Sequence, residues 1–152
     1  MGYVRKESRM IHLTDIDESN WRLPLSVRDE QKAFVASSAV LLARAYAYRN
    51  LNSRAFYIYD DDTAVGMGLY YDCPEMDAYD LSQFFIDARY QGKGYGKEAV
   101  RLCLEEMRLL GRFDKVVLCY VEGDEAARRL YESFGFVQGD RDGDEITMEM
   151  KL

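Results

Sequence analysis

The chain has 152 residues, 48% of them hydrophobic and 31% charged, which is typical of one soluble globular domain spanning residues 1–152. A net charge of −7 argues against nucleic acid as a ligand, because a phosphate backbone attracts basic surfaces, and is compatible with a cationic small molecule. No apolar run reaches the roughly 20 residues of a membrane span, and the N-terminus lacks the apolar core of a signal peptide, so a cytoplasmic protein without membrane contact is predicted.

Cysteine and histidine usage narrows the possible chemistry. The three cysteines, Cys73, Cys103 and Cys119, are odd in number and widely spaced, which indicates neither a disulfide framework nor a zinc site. His12 is the single histidine, so Ser-His and Cys-His mechanisms have no obvious base. The three aspartates at 60–62 lack the glycine and distal glutamate of a calcium loop and are interpreted as a turn. No metal site is predicted.

The first half of the chain predicts a strand, helices and a hairpin, in that order. A strand is expected over 4–13, followed by a turn into a short helix around Trp21. From residue 29 or 30 to 49, apolar residues recur at three- and four-residue steps, which predicts a long amphipathic helix. Strands over 55–59 and 63–71 then form a hairpin around the aspartate turn.

The second half predicts alternating strands and helices. Strands are expected over 81–86 and 115–121, and helices over 97–110 and 125–134, the last ending at Gly135. A hairpin of 136–141 with 146–152 completes the chain. The predicted order is β-α-α-β-β-β-α-β-α-β-β, an α/β fold in which a mixed sheet has helices on both faces.

The loop at 91–96, QGKGYG, joins a predicted strand to a predicted helix. Glycines let backbone amides approach a ligand, and the first turn of a helix offers N–H groups at its positive end, so the loop predicts a phosphate site. A Walker loop would need glycine at Gln91 and serine or threonine at Glu98. A dinucleotide fingerprint would need a third glycine at Lys97. None of these three requirements is met.

Two segments resemble the GNAT superfamily of acyl-CoA N-acyltransferases. Gln91, Gly94 and Gly96 fill the defined positions of its pyrophosphate loop, Q/R-x-x-G-x-G/A. The segment DEAARRLYESFGF at 124–136 is similar to the later motif N-x-x-A-x-x-L-Y-x-x-x-G-F, with Asp124 in place of the usual asparagine. The resemblance implies the GNAT fold, with central strands 81–86 and 115–121 splayed apart and acetyl-CoA between them. The cofactor-binding residues that it implies are Phe84, Phe85, Ile86, Gln91, Gly92, Lys93, Gly94, Tyr95, Gly96, Lys97, Asp124, Ala127 and Arg128.

The resemblance also implies an N-acetyltransferase in which Tyr131 acts as general acid. Attack of an amine on a thioester gives an oxyanion whose collapse expels a thiolate, and a phenol near the sulfur can protonate it. The amine arrives as an ammonium ion and must first lose a proton. Candidates for the base are Asp80, Gln83 or Ser82 through water, and Glu122, and no one of them stands out.

Acidic residues gather in segments that this fold would place around the acceptor, which favours a polycation. The residues predicted to bind the acceptor are Asp29, Glu30, Asp80, Gln83 and Glu122. The segment 25–37 also resembles bacterial spermine/spermidine acetyltransferases. A polyamine is therefore the expected acceptor, and a homodimer is possible. An aminoglycoside, an amino acid or a protein N-terminus is the alternative acceptor, and an acyl-CoA-binding sensor without catalysis is the alternative function. A nucleotide-binding domain is a third alternative.

Overall fold

The computed structural model describes residues 10–152, so residues 4–9 of the predicted first strand lie outside the described part of the chain. Within this part, the strands are β1 (Ile11–Asp15), β2 (Arg54–Asp60), β3 (Thr63–Cys73), β4 (Ala78–Ile86), β5 (Lys115–Val121), β6 (Val137–Asp142) and β7 (Glu145–Lys151). The α-helices are α1 (Ser38–Ala47), α2 (Tyr95–Leu110) and α3 (Glu125–Glu132). Short 3₁₀ helices cover Asp29–Gln31, Arg49–Leu51, Pro74–Met76 and Ala88–Tyr90. The predicted α/β fold class is confirmed.

The strands form one mixed sheet with a hydrophobic core on each face. Their order is β1-β2-β3-β4-β5-β7-β6, and neighbours are antiparallel except for β4 and β5. Along β2, Phe56 and Ile58 belong to one core and Tyr57 to the other, as the two-residue period of a strand requires. Helix α2 and Tyr131 of α3 pack in the first core, whereas Leu41 of α1 packs in the second. Helices therefore cover both faces, as predicted.

The two central strands separate after a short paired stretch. Strands β4 and β5 are in register at Tyr79 with Val116 and at Asp80 with Val117 only. Beyond these pairs, Leu81 and residues 83–86 of β4 remain paired with β3, with a register shift at Ser82, but residues 81–86 have no partner on β5. A wedge therefore opens between the two strands, and the predicted splay of the central strands is confirmed.

The helical segments before the first hairpin differ from the prediction. No helix forms around Trp21, because side chains compete for the backbone there: Asp17 accepts from the Ser19 amide at 2.8 Å, and Asn20 accepts from the Asp17 amide at 2.8 Å. The long helix predicted from residue 29 is also interrupted. Only the 3₁₀ turn Asp29–Gln31 and α1 form, since Ser37 is extended and its hydroxyl accepts from the Val40 amide as an N-cap.

Two boundaries that matter for the site also move. Helix α2 begins at Tyr95, two residues before its predicted start, because Gly94 adopts a left-handed φ of 85° and serves as its N-cap. Strand β4 begins at Ala78, three residues before its predicted start, because its first residues pair with the end of β3.

Candidate active site

A cavity of about 390 Å³, here called the loop cavity, lies between the glycine loop, the end of β4 and α3. Three of the segments that form its wall were predicted to bind the cofactor. The fourth, the stretch before α1, was not. The lining residues are Val27, Arg28, Gln31, Val35, Phe84, Phe85, Ile86, Tyr90, Gln91, Gly92, Gly94, Tyr95, Gly96, Asp124, Ala126, Ala127, Leu130 and Tyr131. Of the residues predicted to bind the cofactor, Lys93, Lys97 and Arg128 do not line it.

The glycine loop owes its shape to two left-handed residues. Gly92 has a φ of 77° and Gly94 a φ of 85°, which are strained for any residue with a Cβ atom. As the N-cap of α2, Gly94 has no side chain that could accept hydrogen bonds from the first turn. Gly96 differs from both, because a Cβ atom there would meet its neighbours at the ordinary distance of 3.7 to 3.9 Å. The loop therefore turns the amino end of a 16-residue helix toward the cavity.

Gln91 ties this loop to both sides of the cavity. Its Nε2 donates to the Ile86 carbonyl at 2.9 Å and to Gln31 Oε1 at 2.8 Å. Gln31 Oε1 also accepts from the Arg28 amide at 3.1 Å. The side chain that the motif requires at position 91 thus has a structural role here, since it connects the loop to the end of β4 and to the segment before α1.

A second cavity of about 570 Å³, here called the gap cavity, occupies the wedge between β4 and β5. It draws on widely separated parts of the chain. The lining residues are Lys32, Ala33, Phe34, Val35, Ala36, Arg44, Tyr48, Tyr71, Asp80, Leu81, Ser82, Gln83, Phe84, Cys119, Tyr120, Val121, Asp124, Ala127, Tyr131 and Glu145. Five residues line both cavities: Val35, Phe84, Asp124, Ala127 and Tyr131. The two cavities therefore adjoin.

Tyr131 stands at this junction. Its side chain is 7% exposed and packs edge-on against Phe136, with ring centroids 5.7 Å apart. Within residues 10–152, no hydrogen bond to its hydroxyl is found. Burial raises the pKa of the Tyr131 phenol above its ordinary value, and the negative charge of Asp124 adds to the rise. The phenol is therefore protonated at neutral pH and able to donate a hydrogen bond to a bound molecule.

Asp80 is the carboxylate with the most altered proton affinity on the wall of the gap cavity. Burial raises the pKa of Asp80 to about 6, although the positive charge of Arg44 opposes the rise. Beside it, Ser82 Oγ accepts from Arg44 Nη1 and from the Tyr71 hydroxyl, each at 3.1 Å. A carboxylate with a pKa of about 6 is ionised at neutral pH and is more basic than an ordinary aspartate.

Asp124, which replaces the usual asparagine of the motif, caps α3. Its Oδ1 accepts from the Ala127 amide at 3.2 Å, as an N-cap residue does. Asparagine could make the same bond, because both side chains carry an acceptor oxygen at this position. The replacement therefore keeps the start of the helix and adds a negative charge where the cavities meet.

The residues predicted for the acceptor are only partly brought together. Asp80 and Gln83 line the gap cavity. Asp29 and Glu30 are exposed on the 3₁₀ turn outside it, where Asp29 pairs with Lys32 at 2.8 Å. Glu122 lines neither cavity and forms an ion pair with Arg141. The cofactor candidate Arg128 is likewise engaged on the surface of α3, with Glu125 and Glu132.

The sequence prediction missed Arg44 and Tyr71 as residues that line the gap cavity. One of them had a usable signal: Arg44 follows Leu41 by three residues and precedes Tyr48 by four, so it is a charged residue on the apolar face of a predicted helix. Tyr71 stacks on Tyr48 with ring centroids 4.1 Å apart, a contact that depends on how α1 packs on β3.

Neither a metal centre nor a membrane span is found in the described part of the chain. Residues 10–152 contain no group of three or more histidine, cysteine, aspartate or glutamate side chains that could hold a metal ion. None of the helices in this range is both long and apolar enough to cross a bilayer.

Comparison with known proteins identifies a family and shows similarity to named enzymes. Residues 13–136 match the model of the Acetyltransferase (GNAT) family. The spermine/spermidine N(1)-acetyltransferase of Bacillus subtilis (strain 168) is 33% identical over 120 residues, which are 75% of this chain and 78% of the relative. The spermidine N-acetyltransferase of Vibrio cholerae, solved with CoA and spermine, superimposes with a TM-score of 0.73 at 18% identity, covering 93% of this chain and 95% of that one. A dodecameric structure of a spermidine N-acetyltransferase from Vibrio cholerae gives a TM-score of 0.68 at 17% identity, with 93% of each chain covered.

Proposed function

Because the chain belongs to the GNAT family of acetyltransferases, we propose that it transfers the acetyl group of acetyl-CoA to a primary amine of a polyamine such as spermidine or spermine. Membership of the family makes it an acetyl-CoA-dependent N-acetyltransferase. The observation that carries the proposal is the meeting of the two cavities at Tyr131, with a basic carboxylate on the wall of one and a glycine loop on the wall of the other. A donor in the loop cavity and an acceptor in the gap cavity would then share one phenol.

The loop cavity suits the phosphates and the amide arm of coenzyme A. The diphosphate would lie against the backbone at 91–97, where the positive end of α2 favours an anion. The edge of β4 at 84–86 lacks a partner on the β5 side within the described residues, so the backbone groups there that Gln91 does not already engage can bond to the amides of the pantetheine arm. That arm would carry the thioester along the wedge toward Tyr131.

Asp80 and Tyr131 supply the two proton transfers of the reaction. Asp80 accepts a proton from the ammonium group, and the neutral nitrogen then attacks the thioester carbon, giving a tetrahedral oxyanion. Collapse of that intermediate breaks the C–S bond, and the departing thiolate takes the proton of Tyr131. The new amide nitrogen releases a proton, through solvent, that restores the phenol. With a pKa of about 6, Asp80 is a stronger base than an ordinary aspartate yet is still ionised at neutral pH.

The charge and the aromatic lining of the gap cavity suit a polycation. Three carboxylates line it, Asp80, Asp124 and Glu145, against the two cations Lys32 and Arg44. Lys32 is already paired with Asp29, which lies outside the cavity, so the wall carries an excess of negative charge. The stacked rings of Tyr48 and Tyr71 add aromatic surface, which attracts ammonium groups.

The test is a screen of amines against acetyl-CoA with detection of the released thiol. Spermidine and spermine are the expected substrates, and an aminoglycoside, free amino acids and a peptide with a free N-terminus are the comparison set. Turnover of members of that set without turnover of either polyamine would overturn the proposed acceptor. Binding of acetyl-CoA without turnover of any amine would instead favour a sensor. The predicted homodimer and cytoplasmic location stay predictions.

A further inference from the structure

The charges on the wall of the gap cavity are unevenly distributed. On the α1 side lies Arg44, whose guanidinium donates to Ser82 and has no ion-pair partner within residues 10–152. On the opposite side the wall is formed by β5 and by Glu145, the first residue of β7. Asp80 on β4 stands between these two sides. A cation that leaves Asp80 therefore meets a positive charge in one direction and a negative charge in the other.

The strand register places Glu145 on the same face of the sheet as Asp80. Asp80 pairs with Val117, and Glu145 pairs with Val121, four residues further along β5. Because side chains alternate along a strand, positions 117, 119 and 121 share one face, and their partners share it too. Cys119 lies midway along β5 between Val117 and Val121. Burial raises the pKa of its thiol, the bond to Thr147 lowers it, and the negative charges of Asp80 and Glu145 raise it further.

The carboxylate of Glu145 is available to a ligand. Its side chain is exposed, and no ion pair to it is found among residues 10–152. The neighbouring Glu122, in contrast, is neutralised by Arg141. Glu145 is thus the unpaired negative charge at the β7 end of the gap cavity.

The distance between the two carboxylate positions sets a length for the acceptor. Glu145 lies four residues further along β5, about 13 Å, and two strand spacings away across the sheet, about 10 Å, so the two backbone positions are about 16 Å apart. Each ammonium nitrogen stands about 3 Å inside its carboxylate, which leaves about 10 Å between the two nitrogens. An extended chain covers about 3.5 Å per three bonds, so this distance corresponds to roughly nine bonds. A diamine with one methylene segment is too short to reach across, whereas a triamine with two segments comes close.

Resting on the proposed function, we propose that Glu145 binds the distal ammonium group of a linear polyamine whose reacting amine lies at Asp80, and so selects triamines and longer polyamines over monoamines. Arg44 reinforces this orientation, because it repels a second ammonium group on the α1 side. Glu145 would be a residue of substrate specificity, distant from the atoms that react.

The test compares Glu145→Gln with Glu149→Gln, using spermidine and n-butylamine as acceptors. Glu149 is the matched control, because it is exposed on the same strand and face as Glu145 but does not line the cavity. An exposed ion pair strengthens binding by up to about fivefold. Glu145→Gln should therefore lower kcat/KM for spermidine about fivefold, through a higher KM, and leave kcat/KM for n-butylamine unchanged. The loss should shrink as ionic strength rises. Glu149→Gln should change neither substrate.

Three outcomes would overturn this inference: unchanged use of spermidine by Glu145→Gln, an equal loss on both amines, or the same loss in Glu149→Gln. If n-butylamine turns over too slowly to measure, Glu149→Gln still supplies the reference for spermidine. The wild-type protein separates the two proposals. Its failure to acetylate spermidine while acetylating another amine would refute the polyamine acceptor itself, whereas normal use of spermidine by Glu145→Gln would refute only the role of Glu145.

Discussion

The two cavities are built in contrasting ways. The glycine-rich part of the loop cavity comes from one short stretch, 91–96, which follows β4 directly, and it presents backbone groups and left-handed glycines. The gap cavity joins α1, β3, β4, β5, α3 and β7, and it presents side chains drawn from positions as far apart in the chain as Lys32 and Glu145. If the loop cavity holds the donor and the gap cavity the acceptor, as proposed, recognition of the donor depends on local backbone shape, whereas recognition of the acceptor depends on how the sheet is assembled. Substitutions can therefore alter the acceptor and leave the donor site intact.

Tyr131 belongs to both cavities, and its loss should have the largest effect on turnover. Tyr131→Phe keeps the ring and its contact with Phe136 but removes the proton donor. We expect kcat to fall by about 10³-fold, within the range of general acid catalysis, while the Kd of acetyl-CoA changes by less than about twofold. Thiol release and calorimetric titration with acetyl-CoA measure the two quantities.

Tyr120→Phe is the matched control for this prediction. Tyr120 also lines the gap cavity, but its hydroxyl already accepts from Gln138 Nε2 at 2.5 Å. The same chemical change there should leave kcat within about threefold of the wild-type value. Undiminished turnover by Tyr131→Phe would remove the phenol from the mechanism.

Asp80→Asn tests the gap cavity alone. Because the ionised carboxylate is the active form, the wild-type kcat/KM should fall as the pH drops through about 6, the pKa of Asp80. The variant should lose about 10² in kcat/KM at neutral pH and should no longer show this acidic limb. Rate profiles between pH 5 and about 8 check both expectations.

Arg44→Gln provides the companion measurement. The groups that face Asp80 are Arg44 on α1, Tyr71 on β3 and Cys119 on β5. Since the charge of Arg44 lowers the pKa of Asp80, its removal should move the acidic limb to higher pH. The plateau of kcat/KM should not fall, because the substitution also removes a charge that repels the ammonium groups of the substrate. A limb that stays in place in Arg44→Gln, or that persists in Asp80→Asn, would assign it to a different group.

Gly94→Ala tests the loop cavity alone and should have a smaller effect. The left-handed conformation of Gly94 is less favourable by about 1 to 2 kcal/mol for a residue with a Cβ atom. If acetyl-CoA binds only to the loop in this conformation, the substitution should raise the KM of acetyl-CoA by about tenfold. Gly96→Ala is the control, because it has ordinary space for a methyl group and should change the KM by less than about twofold. Equal effects of the two substitutions would show that loop conformation does not govern donor binding.

Asp72→Asn lies outside both cavities and should leave turnover unchanged. The buried Asp72 carboxylate accepts from Asn52 Nδ2 at 2.7 Å and from Arg112 Nε and Nη2 at 2.9 to 3.1 Å. Weakening this network should lower the free energy of unfolding by about 2 kcal/mol, measured by urea denaturation. If Asp72→Asn lost activity at urea concentrations below those that unfold it, the network would also shape the site.

The same contrast explains what the sequence could reveal. It could be predicted that the glycine loop and the end of β4 lie beside Tyr131, because each depends on a short pattern whose geometry is local. The place of Tyr71 on the wall of the gap cavity could not be predicted, since it follows from the packing of α1 on β3. The acidic segments could be placed around the acceptor, but only the pairing of β7 with β5 brings Glu145 to the cavity wall. Glu122 lies outside both cavities, where Arg141 of β6 engages its carboxylate, and this partner follows from the hairpin pairing.

The bond between Gln31 and Gln91 joins the two halves of the site at one point. Gln31 belongs to the segment 27–36, whose residues line both cavities, and Gln91 begins the glycine loop. Under the proposed function, a shift of the loop on binding a diphosphate would be passed to the wall that faces the amine. This contact between two amide side chains adds to the five residues that line both cavities as a route by which occupancy of one pocket could alter the shape of the other.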